Sequence, residues 1–176
     1  MACDLSLGRI EPCKDSVGGL KNVYFVNYGH ITGVTYNGTN TDVIDAVSGT
    51  SLNAYKYELK GTNSLDQTIT SNRENGTTFF EQNLKLQLKK LTAKDHKEIK
   101  LLAYGRPQVI VEDHNGNLFM CGLEYGMEVT GGTIVTGAAM GDLSGYTLDL
   151  KASERVPANF LGDDLVSVGF TIVSGS

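Results

Sequence analysis

Phe80-Glu81-Gln82-Asn83-Leu84-Lys85-Leu86-Gln87-Leu88 carries the plainest structural signal in the chain. In an extended segment successive side chains point to opposite faces. Phe80, Leu84, Leu86 and Leu88 therefore share one face, and Glu81, Asn83, Lys85 and Gln87 the other. Such a strand belongs to a sheet with one packed side and one wet side.

The segments around it repeat that theme. Tyr55 to Leu59 and Leu65 to Ile69 alternate upstream, Tyr146 to Ser153 alternates downstream, and Leu165 to Val173 reads as a last strand. Leu20 to Tyr28 and Ile31 to Tyr36 are rich in aromatic and β-branched residues and flank Gly29-His30, so they read as strands around a tight bend. Gln108 to Asp113 and Leu118 to Leu123 flank His114-Asn115-Gly116-Asn117, whose Asn-Gly step marks a hairpin.

One helix is expected. Thr92 with Asp95 resembles a capping box, good helix formers run through Leu102, and Gly105-Arg106-Pro107 stops the segment. Ile99, Leu102 and Ala103 are expected to face the sheet. Eight or more strands with one inserted helix predict an antiparallel β-sandwich or partly closed barrel with a flanking α-helix.

The 176 residues suit one domain. Residues 1–19, with Pro12 and Gly18-Gly19, read as an N-terminal arm, and residues 20–176 as a single β-sandwich domain. Within it, Asn37 to Ser51 reads as a long polar loop around an apolar island, Val43 to Val47, and Tyr125 to Asp142 as a glycine-rich loop or irregular edge. Leu5, Leu7 and Ile10 on the arm, and Val43, Ile44 and Val47 in the loop, leave the core pattern and have no evident partner inside the subunit. They are the candidate assembly interface.

A net charge of -5 and a pI near 5.1 argue against a protein that grips nucleic acid through its phosphates. Lys85, Lys89, Lys90, Lys94, Lys97 and Lys100 are interleaved with Glu81, Asp95 and Glu98, the pattern of a solvated face. No apolar run is long enough for a bilayer, and Met1 to Leu5 lacks the pattern of a signal peptide, so the expectation is a protein made and kept in a cytosol without a membrane partner. Cys3, Cys13 and Cys121 fit neither a disulfide framework nor a zinc knuckle and read as reduced thiols.

Gly132 to Gly137 has phosphate-loop spacing, but Ala138-Ala139 stands where Lys and Ser/Thr belong. Lys14-Asp15-Ser16-Val17-Gly18 lacks the first glycine of a nucleophile elbow. His30, His96 and His114 show no metal-ligand spacing, and Asp163-Asp164 would point to opposite faces of a strand. Asp113 to Asn117 is too short for a calcium loop. The expectation is a non-enzymatic protein with no catalytic, cofactor or metal site and no cofactor.

One stretch is more specific. Leu118 to Leu161 contains the turn Gly122-Leu123-Glu124, a threonine- and glycine-rich segment ending in Gly141-Asp142, the strand Gly145-Tyr146-Thr147-Leu148, and Glu154 followed by Pro157-Ala158. It resembles the C-terminal half of tail-tube-like structural proteins from phages of Bacteroidetes hosts, including the crAss-like phages. Gly8 to Asp15 with Gly18-Gly19-Leu20 also looks like the start of such proteins. The resemblance covers about a third of the chain and implies a virion protein of a tail tube or neck ring, made in the bacterial host cytoplasm. Its partners would be copies of itself in a sixfold or twelvefold ring, the adjacent tail or neck proteins, and DNA that passes without specific binding. The competing reading is a carbohydrate-binding or adhesin-type sandwich presenting Tyr36, Tyr55, Tyr125 and Tyr146.

Overall fold

The computed structural model describes residues 3–175. Twelve strands and two helices follow the arm: β1 Leu20–Val26, β2 Ile31–Tyr36, β3 Val43–Gly49, β4 Asn53–Glu58, β5 Ser64–Asn72, β6 Thr77–Lys89, α1 Ala93–Tyr104, β7 Gln108–Asp113, β8 Leu118–Cys121, β9 Glu128–Val135, β10 Gly145–Glu154, β11 Asn159–Leu161, α2 Leu165–Val168 and β12 Thr171–Val173. They form an eight-stranded sheet, β12-β4-β1-β7-β8-β11-β3-β2, and a four-stranded sheet, β5-β6-β10-β9.

The amphipathic segment Phe80 to Leu88 lies within β6. It pairs with β10 so that Leu84 faces Leu150, Leu86 faces Leu148 and Leu88 faces Tyr146. That apolar face packs on Val23, Phe25, Val109 and Val111 of the larger sheet, with Ile99 of α1 closing the same core. The near-continuous apolar runs of β1 and β7 have a physical reason: these strands are covered on both sides. Their alternate residues, Tyr24, Val26 and Ile110, enter a second core with Ile44, Val47, Met120, Leu165 and Phe170.

α1 begins where Thr92 Oγ1 accepts from the Asp95 N–H at 3.1 Å and ends where the Gly105 N–H reaches the Leu101 carbonyl. Ile99 is buried and Leu102 half-buried against the first core, whereas Ala103 is exposed, contrary to expectation. The β7–β8 turn is held by Asp113, whose Oδ1 accepts from the N–H groups of Asn115 and Asn117 at 3.0 and 2.8 Å.

The architecture is a sandwich with antiparallel and mixed sheets, not a closed barrel. Most pairings are antiparallel, as expected; two are parallel, β11 with β3 and β12 with β4. The expected loop at 37–51 contains β3, a full strand between β2 and β11. Within Tyr125 to Asp142, β9 is a regular edge strand paired with β10. The expected last strand from Leu165 is instead one helical turn followed by β12. Asp164 caps the turn through the Ser167 N–H at 2.9 Å, Leu165 and Val168 bury at helical spacing, and Gly169, with φ 129°, ends it.

Candidate functional site

Three surface features carry apolar side chains open to a partner: the arm, the open sheet edges, and a groove beside β2. The arm carries Leu5, Leu7 and Ile10 exposed to 97%, 90% and 89%. It is fastened at its base by Asn115, which bonds both backbone groups of Val17, and by the His114 N–H on the Gly19 carbonyl.

The other half of the expected assembly interface lies elsewhere. Ile44 and Val47 are buried in the second core, and Val43 is half-buried in β3, paired with Phe160. The neighbours they lacked in the sequence are α2 and Phe170, supplied by the far end of the chain. These three residues support the subunit's own fold.

The four-stranded sheet ends in β5 and β9, with no further strand beyond either among the described residues. Ile69 on β5 and Ile134 on β9 sit in register with Phe80 and Tyr146, on the packed side of the sheet, yet are 68% and 53% exposed. Apolar surface therefore continues past the core at both edges. On the opposite, wet face Asp66, Glu81, Glu128 and Asp149 alternate with Lys85, Lys89 and Lys151 among Asn, Gln, Ser and Thr side chains. Lys151 pairs with Glu81 at 3.1 Å.

The groove, about 590 Å³, lies along β2 and is walled by Ile31, Val34, Met120 and Leu123. Its floor holds four buried polar side chains, Gln82, Gln108, Glu154 and Asn159. Gln82 Oε1 accepts from the Gly122 N–H at 2.9 Å, Gln108 Nε2 donates to the Leu123 carbonyl at 2.6 Å, and the Tyr125 N–H donates to Glu154 Oε1 at 3.1 Å. These bonds clasp the Gly122 to Gly126 turn, which only glycine can make: at Gly122, φ 65°, an added Cβ would stand 2.7 Å from the Gly126 carbonyl carbon. Burial raises the Glu154 carboxyl above the ordinary range, against the lowering effect of its two backbone N–H donors. Among the described residues Gln108 Oε1, closed off from solvent, has no hydrogen-bond partner. At the rim Arg155 grips Glu124 with Nε and Nη2, which holds that carboxyl below the ordinary range.

The sequence reading missed this floor. A signal for it exists, because Gln82 and Glu154 occupy the apolar phase of otherwise alternating strands, where a polar residue needs buried partners.

The remaining candidates are scattered. His30 contacts the Ser51 carbonyl, His96 the Tyr146 hydroxyl, and His114 the base of the arm. Among the described residues no group of three or more His, Cys, Asp or Glu side chains is placed to hold a metal ion. The Asp163 carboxylate accepts from the Asp164 N–H at 2.8 Å, while the Asp164 carboxylate caps α2. Lys94, Lys97 and Lys100 lie on α1, whereas Lys85 lies on the wet face of the smaller sheet, so the lysines form no single patch. Tyr146 is fully buried, and Tyr55 and Tyr36 lie on β4 and β2, toward opposite ends of the larger sheet, so the four tyrosines make no common platform. Among the described residues no helix is long and apolar enough to cross a membrane. Comparison of the chain with protein-family models, curated proteins and solved structures finds no match.

Proposed function

We propose that the protein is a non-enzymatic structural subunit of a tailed-phage virion, closing into the rings of a tail tube or neck through which the genome passes. The observation that carries this reading is the pair of open edges on the four-stranded sheet, each bearing an exposed isoleucine on the packed side. An unpaired edge is a template for another strand. Pairing β5 of one copy with β9 of the next is a head-to-tail contact, and such contacts form a ring when the rotation closes.

The arm supports the same reading. Leu5, Leu7 and Ile10 would each contribute about 1.5 to 3 kcal/mol on full burial against a neighbour, less the cost of ordering the segment. In a ring built this way the wet face of the smaller sheet lines the channel. Its interspersed charges, four carboxylates against three lysines, offer DNA no basic track and avoid the counterion release that would hold it.

Negative-stain microscopy of the purified full chain, together with sedimentation velocity, tests this. Closed rings of uniform size are expected. A monomer at all accessible concentrations would overturn the reading.

A further inference from the structure

We infer that the groove beside β2 is the socket for the arm of a neighbouring copy, with Leu5 and Leu7 against its apolar wall and the Arg9 guanidinium at its acidic side chains. This rests on the ring reading above and names the contact that would tie one subunit to the next.

The groove's chemistry defines its occupant. β2 is the last strand of its sheet, so an extended segment can lie along its free edge and send alternate side chains into the groove. The walls ask for aliphatic groups. The charged side chains lining the groove are Glu124, Glu154 and Arg155, an excess of one carboxylate that favours a cation on the incoming segment. A guanidinium supplies only donors, in a fixed fork that suits carboxylates.

The arm has this pattern. In Leu5-Ser6-Leu7-Gly8-Arg9 an extended backbone places Leu5, Leu7 and Arg9 on one side and only Ser6 and Gly8 on the other. In the isolated subunit the arm does not occupy its own groove: its leucines are almost fully exposed, and Arg9 meets the equally exposed Glu11 at 3.7 Å. Fully extended, residues 3–17 reach on the order of 50 Å from the Val17 anchor, enough to cross onto an adjacent subunit of this size.

Site-directed disulfide formation tests the socket. In full-length protein with Cys3→Ser and Cys13→Ser, leaving only the buried Cys121, one preparation carries Leu5→Cys and a second carries Val156→Cys at the groove rim. Mixed and oxidised, the two should give a cross-linked dimer, whereas Leu5→Cys mixed with Met140→Cys, in the exposed β9–β10 loop at the other end of β10, should not. Arg9→Glu should lower the yield about tenfold and Arg9→Lys much less.

Sedimentation of the same preparations separates the two proposals. Rings without the Val156 cross-link would overturn the socket and leave the ring reading standing. A cross-linked dimer without rings would support the socket and overturn the ring. Neither rings nor cross-link would overturn both. A disulfide that forms only when both cysteines are in one chain would show that the arm folds onto its own groove, which also overturns the proposal.

Discussion

Asn115 holds Val17 by both of its backbone groups: its Oδ1 accepts from the Val17 N–H at 2.9 Å while its Nδ2 donates to the Val17 carbonyl at 2.8 Å. One hairpin-tip side chain thereby mimics a strand partner and sets where the arm leaves the domain. Replacing it with alanine removes both bonds at an exposed site, so global stability should change by no more than about 1 kcal/mol. The arm itself should loosen. Faster trypsin cleavage after Lys14, with an unchanged melting temperature for the domain, is the expected result.

Deleting residues 2–18 should leave the domain folded, because the described arm residues contribute nothing to either core. Far-ultraviolet circular dichroism should retain the strand signal while sedimentation shows weakened or absent rings. Loss of the strand signal would mean that the arm is needed for folding itself.

Ile99 is the one buried residue of α1. Ile99→Asp places an unpaired carboxylate in the first core and should destabilise the protein by at least about 3 kcal/mol in urea titration. Leu101→Asp, on the exposed side of the same helix, should cost under about 0.5 kcal/mol.

Burial lifts the folded-state pKa of Glu154 above its unfolded value. Between those two values the folded protein binds more protons than the unfolded chain, so this residue makes stability fall as pH rises through the window above the usual glutamate range. Below the unfolded pKa the penalty is absent. Glu154→Gln keeps an oxygen for the Tyr125 N–H and carries no charge, so the variant should lose this decline. Urea midpoints measured from pH 4.5 to 8 should show a flatter profile than the parent protein.

If the wet face of β6 and β10 lines a channel, its charge governs DNA passage. Asn83→Lys with Thr147→Lys adds two positive charges per subunit at outward positions of the central strands. Rings of this variant should bind duplex DNA with strong salt dependence, while parent rings show no such binding in the same filter assay. Tight, salt-sensitive binding by the parent rings would place a different surface in the channel.

Much of this architecture is legible locally. The alternation of Phe80 to Leu88, the Asn115-Gly116 turn, and the start of α1 at Thr92 depend on neighbours a few residues away, so the sequence alone determines them: side-chain period, turn dihedrals and capping are short-range physics.

Tertiary structure decided the rest, because pairing partners and buried neighbours are non-local. Val43, Ile44 and Val47 read as an apolar island in a polar loop only until Phe160, Leu165 and Phe170 return to cover them. The parallel pairing of β11 and β12 depends on where the chain re-enters the sheet, which no local pattern encodes. Gln82, Gln108 and Glu154 look like unrelated polar residues along the chain. They share one floor because three strands from two sheets converge on the Gly122 to Gly126 turn, and its unmatched N–H and carbonyl groups require polar partners once it is buried there.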